Sequence, residues 1–551
     1  MNSSFNYHIV LVLLHYYKAD NSACIVFTQI CAGTIFGLIN SLNNSRRLVG
    51  QRLQICKSLA PIFFFLFLLR GIVNTNNIEY RLLKGDSVMA SLFRWMLHGT
   101  FLALFVIAAA LPLEYNADRT EVDADVVIIG GGSSGTYAAV RLHDLGKSVI
   151  LVEREDVLGG HTNTYVDPQT NITIDYGVIV YHDIPVVQNY FNRLNIPFAI
   201  GSISGYANPT YANFKEGKVI ANFIPSNPTN ALAAYGAQVA QYPGLSAGFL
   251  LPNPVPEDLL MPFGQFVQKY NLGDAVQVLA GFAEGHGDVL KQMTLNIFMV
   301  NGLQVLKSMQ TGFLVTAHHD NYEIYGNALQ VLGSDKVLLK SKVVSTNRYF
   351  ADHVEVTVQT PSGLKVIKAN KLVMAIPPKL PNLAGFDLDG TEKSLFSKFI
   401  NTAYYTGLVH NTGLPANASY QNIDVAAPYS LPDLPGLYGL GTTAIPGLFD
   451  VKYGSQTALS DDAVKADIIA TIKRLRTSIG IQADEEPEFV AYDNHTPFRL
   501  TVSPDDVKSG FYNNLNALQG HLHTFWTGAA FDTHDSSLLW NFTETLLAKI
   551  T

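Results

Sequence analysis

The sequence predicts an α/β fold built around a parallel, dinucleotide-binding sheet, and three adjoining features predict it. Val126-Val127-Ile128-Ile129 is an unbroken β-branched run, the pattern of a parallel strand buried on both faces. Gly130-Gly131-Gly132-Ser133-Ser134-Gly135 follows at once and satisfies G-x-G-x-x-G. A helical stretch from Thr136 to Leu145, with Gly146 as its cap, then leads to a second strand, Ser148 to Val152, that ends in Glu153.

Each part has a mechanical reason. Gly130 permits a tight turn, Gly132 lets a pyrophosphate approach the backbone, and Gly135 lets helix and strand pack closely. Ser133 and Ser134 open the helix, whose free amides and dipole favour phosphate. Glu153 stands where a carboxylate grips the adenosine ribose hydroxyls and disfavours a 2′-phosphate. A lone glycine motif is weak, but strand, helix, strand and acid in this order are its confirming context, a Rossmann-type unit. Other glycine clusters fail the same test. Gly439-Leu440-Gly441 lies between Pro435 and Pro446, and Gly146-Lys147-Ser148 has Arg141 where a phosphate loop needs glycine.

Composition bounds the rest. Of 551 residues, 48% are hydrophobic and 15% charged, which excludes wholesale disorder. A formal net charge of −8 without basic clusters argues against nucleic-acid partners. Cys24, Cys31 and Cys56 all precede residue 60, so the main body has no disulfide or Cys-ligated zinc. His318-His319-Asp320 and His521-Leu522-His523 form no recognisable ligand set, and no metal is expected. The apolar runs Ile9–Tyr17 and Leu59–Leu69 fall short of the roughly 20 residues that span a bilayer. Met89 to Ala110, with Arg94, an apolar centre and Ala108-Ala109-Ala110, reads as a signal peptide. Residues 1–88 are then an upstream extension of the reading frame; the alternative is a membrane-anchoring segment. Sequons at Asn171, Asn417, Asn494 and Asn541 accord with a secreted chain.

Beyond Glu153-Arg154 the chain reads Leu158-Gly159-Gly160-His161-Thr162, which resembles the paired-glycine signature of the amine-oxidase-like FAD flavoproteins. Three further segments match in order. Ile174-Asp175-Tyr176-Gly177-Val178 is similar to the stretch beside the flavin ring. Lys342-Val343-Val344-Ser345 resembles the strand whose backbone holds adenine, at Val343. Lys371 to Ile376 with Pro377-Pro378 resembles the return strand. The last match, Thr524-Phe525-Trp526-Thr527-Gly528-Ala529-Ala530 with His534-Asp535-Ser536-Ser537-Leu538, implies a helix tip at the flavin N1 and C2 oxygen. Amides of Ser537, Leu538 and Leu539 are the donors this implies, placed to stabilise charge on reduced flavin. In texture the chain is closest to the fungal β-cyclopiazonate dehydrogenase-like group.

The resemblance implies a discontinuous FAD-binding domain, 120–205, 312–378 and 490–551, with an interleaved α+β substrate domain, 206–311 and 379–489. It implies FAD as cofactor and hydride removal from a small, largely apolar or amine-bearing molecule, with molecular oxygen a candidate acceptor. The alternative is a flavin-dependent double-bond isomerase without net redox change. The family's amine oxidases commonly carry a lysine near the flavin N5, yet Ala403 to Val409 holds none. Catalytic candidates are His161, beside the glycine pair, and Tyr404 and Tyr405 as an aromatic cage. His521, His523 and His534 flank the C-terminal match and are weaker candidates.

Overall fold

A computed structural model describes residues 120–201, 208–482 and 484–551. The expected signal peptide at 89–110, the extension at 1–88 and the three cysteines lie outside the described residues, as do 202–207 at the end of the first expected FAD-binding segment.

The β-branched run becomes the strand Thr120–Ile129, whose last four residues are buried, with the helix Ser133–Asp144 packed on it. It lies inside a seven-stranded sheet in the order Lys342–Asn347, Val354–Thr360, Gly363–Met374, Thr120–Ile129, Val149–Val152, Val337–Leu338, with Thr524–Trp526 also paired to Gly363–Met374. The strands flanking Thr120–Ile129 run parallel to it, as does Thr524–Trp526 to Gly363–Met374. The hairpin at Thr360-Pro361-Ser362-Gly363 is antiparallel, with Thr360 opposite Gly363.

A second seven-stranded sheet runs Glu488–Asn494, Ala403–His410, Phe449–Ser455, Gly436–Thr442, Tyr420–Asn422, Thr210–Asn213, Lys218–Val219. The helix Asp461–Ser478 covers it, burying Val464, Ile468, Ile472 and Leu475, a stripe at helical spacing. Ser460 caps that helix by accepting from the Ala463 amide. Between residues 229 and 311 six helices bury Tyr235, Leu259, Phe263, Phe266, Val267 and their neighbours in the same core as the first sheet.

The structure differs from the sequence-based division in three places. Residues 379–399 pack with the first sheet: Leu383, Leu388, Leu395 and Phe396 share its core, and Asp387 and Glu392 clamp the buried Arg348 at 2.8 and 2.6 Å. Glu488–Asn494 straddles the expected boundary at 490 but pairs with Ala403–His410 in the second sheet. Within 206–311 only the strands Thr210–Asn213 and Lys218–Val219 join that sheet. Apolar burial sets these allegiances, and no local residue pattern announces them.

Candidate functional site

Parallel register brings the carboxyl ends of four strands to one edge. Ile129 lies opposite both Val152 and Met374, and Met374 lies opposite Trp526. Ligands of open α/β sheets bind outside that edge. There the chain turns through Gly130, whose φ of +103° only glycine tolerates cheaply. A side chain on Gly135 would put its Cβ 1.8 Å from the Gly130 carbonyl oxygen, so Gly135 seats the helix Ser133–Asp144 on the strand. Gly132 is different: a Cβ there would meet only Gly160 Cα, at 3.7 Å. The expected second glycine pair folds onto the first turn. The Gly159 amide donates to the Gly131 carbonyl at 2.9 Å, and Gly132 and Gly159 form a parallel bridge. Thr162 is buried against Tyr325, hydroxyl to hydroxyl at 3.0 Å.

Glu153 reaches back over this turn. Its Oε2 accepts from the Gly131 amide at 2.6 Å and its Oε1 from the Glu155 amide at 2.9 Å. Val343 lies on the outermost strand of the sheet, just beyond Ser341, whose amide donates to the Glu153 carbonyl at 2.8 Å. The expected adenine and ribose positions are therefore neighbours. Arg154 is a correction: its side chain is exposed and pairs with Glu155 at 2.9 Å, because it follows the strand end on the solvent side.

The segment Tyr176-Gly177-Val178 lies along the paired-glycine loop. The Tyr176 amide donates to the Asn163 carbonyl at 3.0 Å and the Val178 amide to the His161 carbonyl at 3.1 Å. A Cβ on Gly177 would sit 2.2 Å from the same His161 oxygen. From the other end of the chain, Gly528 turns at a φ of +104° with nothing within 4 Å of its Cβ position. Asp535 then caps the helix Ser536–Ile550. That helix packs on Ser133–Asp144: Trp540 Nε1 donates to Ser133 Oγ at 2.9 Å, and Tyr137 and Arg141 both bond Glu544. Its tip carries a second correction. The Leu538 amide donates to Asp535 Oδ1 at 3.0 Å and the Leu539 amide to the Asp535 carbonyl at 2.9 Å, so the cap consumes two of the three expected donors. Ser536 and Ser537 remain at the tip, buried, with Ser537 Oγ accepting from the His182 amide at 2.9 Å. His182 lies 3.0 Å from Asp535 in turn and holds the cap in place.

Four histidines remote in sequence converge beside these turns. His161 stacks on His495 with ring centres 4.2 Å apart, and His534 stacks on Phe498 at 4.0 Å. His161 and His534 are parallel at 6.0 Å, and His286 stands edge-on to both Phe498 and His534. Tyr404 closes the group, 4.9 Å from Phe498. Tyr405 does not: alternate residues of a strand face opposite ways. Its ring joins the core behind the second sheet and its hydroxyl bonds the Leu459 backbone. His521 and His523 bond Asp389 and the Phe350 carbonyl beside the start of Thr524–Trp526, the opposite end from Trp526 and the ligand edge.

Electrostatics follow from enclosure. Burial, with His495 beside it, pushes the His161 imidazole down to about 3, and burial with the nearby Arg499 does the same to His286. Burial and those two rings hold His534 well below the usual histidine range. These three rings are neutral at physiological pH, each offering one donor and one acceptor. Glu284, between Ala283 and Gly285, goes the other way: burial pushes its carboxyl up to about 7. His161, Glu284 and His534 keep some accessible surface although protein surrounds them, so they line an internal cleft.

His286, His495, Phe498 and Glu284 were not legible as site residues. Glu284-Gly285-His286-Gly287 does carry a signal, a histidine between glycines, and both glycines adopt positive φ, 78° and 75°. Among the described residues no group of three or more His, Cys, Asp or Glu side chains could hold a metal, and no helix is long and apolar enough to cross a membrane.

The arrangement fits FAD. Space is kept at Gly132 and Gly528, and the buried His534 Nε2 and Thr533 Oγ1, just before the helix tip, have no partner within the protein. Comparisons agree. Residues 128–194 match the NAD(P)-binding Rossmann-like domain. The chain is 44% identical over 462 residues to the FAD-dependent oxidoreductase oblC of Cochliobolus heterostrophus, covering 81% of this chain and 95% of the relative. It is 37% identical to β-cyclopiazonate dehydrogenase of Aspergillus oryzae, covering 82% and 98%. Among solved structures it is similar in fold to a CLA-producing fatty acid isomerase from P. acnes (TM-score 0.62, 17% identity, 77% of this chain and 98% of the other). It is similar also to a putrescine oxidase mutant (TM-score 0.57, 15% identity, 78% and 99%). The glycine cradle, the amine-oxidase-like architecture and these relatives lead to one conclusion: the chain belongs to the family of FAD-dependent oxidoreductases that includes β-cyclopiazonate dehydrogenase, and its cofactor is FAD.

Proposed function

We propose that this FAD-dependent oxidoreductase removes a hydride from a small, largely apolar or amine-bearing metabolite held in the histidine-lined cleft, with oxygen as a candidate final acceptor. One observation carries the reading: His161, His286 and His534 meet Phe498 and Tyr404 in an enclosed space where all three imidazoles are uncharged. Such a lining suits a flat or apolar molecule, with a few hydrogen bonds for orientation. FAD supplies the hydride acceptor, so the protein need only position a substrate carbon and exclude water.

Within this reading Gly130, Gly132, Ser133, Ser134, Gly135, Gly159 and Gly160 take the diphosphate and Glu153 the ribose. Val343 takes adenine, Tyr176, Gly177 and Val178 line the ring's flank, and Gly528, Ser536 and Ser537 meet its far edge. The first sheet with residues 379–399 is the FAD-binding lobe, and the second sheet with Asp461–Ser478 roofs the substrate. Anaerobic mixing of yellow holoenzyme with a metabolite panel tests the reading. Lasting bleaching by a cyclic or amine-bearing metabolite is the expected outcome. Turnover without bleaching indicates the double-bond isomerase, and no response to any member leaves the cleft without a substrate role.

The chain is also proposed to enter the secretory pathway through Met89–Ala110. Asn171 and Asn417 are exposed outside helices and strands, as a glycan requires, whereas the exposed Asn494 and Asn541 lie in a strand and a helix. A glycosidase-sensitive mobility shift of secreted protein, lost in an Asn171→Gln, Asn417→Gln double variant, is expected.

A further inference from the structure

We propose that Glu284 accepts the proton a substrate gives up as its hydride leaves, and that Tyr404 is the positioning residue that aims the carboxylate. This rests on the cleft reading above.

Glu284 stands on a loop fastened from both sides. The Gly285 amide donates to Tyr438 Oη at 3.0 Å, and Thr402 Oγ1 donates to the Gly285 carbonyl at 2.6 Å. A side chain on Gly285 would press on Phe498 at 2.6 Å and Tyr404 at 2.8 Å, and one on Gly287 on Gln456 at 2.6 Å. The backbone of the loop therefore lies tight against the same Phe498 and Tyr404 that close the cleft. Tyr404 Oη donates to Glu284 Oε2 over 3.4 Å, a long contact that substrate binding can shorten.

The charged surroundings come from three strands. Tyr404 faces Glu284 from Ala403–His410 and Tyr438 from Gly436–Thr442, while the buried, mutually bonded Asp450 and Lys452 face it from Phe449–Ser455. His286 is on its own loop, with Arg499 beyond that ring. Burial raises the carboxyl most and Asp450 adds to this, while Lys452 and the Tyr404 hydroxyl pull it down; the balance is about 7. A base is most effective when its affinity for protons matches the working pH. His161, His286 and His534 are held too low to compete.

The step balances. FAD, when bound, would take the C–H hydrogen together with its bonding electron pair, as hydride. The adjoining N–H or O–H bond breaks with its proton passing to Glu284 Oε2, and C=N or C=O forms. Glu284 then returns the proton to solvent.

The test needs no substrate at first. The flavin absorbance of purified holoenzyme is titrated against pH in wild type, Glu284→Gln, Glu284→Asp and Tyr404→Phe, with FAD content measured in each. Wild type should show a transition centred near pH 7. Glu284→Gln should abolish it, Glu284→Asp should keep one, and Tyr404→Phe should move it upward, because the lost hydroxyl favoured the carboxylate. With a bleaching substrate, Glu284→Gln should slow anaerobic bleaching about 100-fold and flatten the acid limb of the rate profile. A wild type without the transition, or a Glu284→Gln holoenzyme with normal FAD content and an unmoved transition, overturns the proposal. A wild type that binds FAD but bleaches with nothing counts against the cleft reading instead.

Discussion

Gly132 and Gly135 both fall in the glycine motif, and they lack side chains for opposite reasons. At Gly135 a Cβ would collide with the Gly130 carbonyl at 1.8 Å, whereas at Gly132 it would meet only Gly160 at 3.7 Å. Gly132 also has an ordinary φ of −73°, so neither strain nor its own protein forbids a larger residue there. Gly135→Ala should therefore lower the melting temperature of the protein even without FAD. Gly132→Val should melt like the wild-type apoprotein yet purify colourless, since its side chain fills the pyrophosphate approach. Melting curves beside absorbance spectra separate the two; a yellow Gly132→Val protein contradicts the cradle. These glycines were legible because motif, strand and helix are contiguous. Tyr405 and Leu538 were misread because strand parity and a capping carboxylate decide their direction. His286 and His495 reach His534 and His161 only through tertiary folding.

The clamp on Arg348 shows the same limit for whole elements. Its guanidinium is fully buried between Asp387 and Glu392, and its own backbone amide donates to Asp387. Glu392 is buried too and completes a capping box with Asp389 at the start of Gly390–Phe396. Removing Glu392 leaves Arg348 paired with Asp387 but takes away two bonds to its buried guanidinium, a loss of about 1.5–3 kcal/mol. Glu392→Ala should lose roughly that much stability in denaturant unfolding, and a loss below about 1 kcal/mol would mean that water replaces the carboxylate. The hairpin ending at Gly363 and the return strand could be read from alternation and turn residues. The attachment of 379–399 could not, because two carboxylates and a few leucines carry no address until Arg348 is in place.

At the scale of the molecule, FAD is expected to act as a fastener. The residues assigned to it run from Gly130 to Ser537, and the core behind them is continuous from Val126 to Ile550. A ligand that binds only the folded form stabilises it by about 2.7 kcal/mol at a hundredfold excess over its Kd. The apoprotein should thus melt at a temperature that climbs with added FAD, and Glu153→Ala should climb less at equal FAD; identical curves would remove Glu153 from the ribose site. The relatives extend this to architecture, since 95% of one and 98% of another align with this chain.

The strand Gly363–Met374 accepts Thr120–Ile129 on one side and Thr524–Trp526 on the other. On the ribosome the first partner emerges well before this strand and the second well after it. A growing polypeptide consequently carries half a nucleotide pocket with one exposed sheet edge throughout the synthesis of residues 375–523, a hazard for mispairing. Loading of flavin belongs after Thr524–Trp526 has docked on that edge, and chaperone demand should fall steeply at that point.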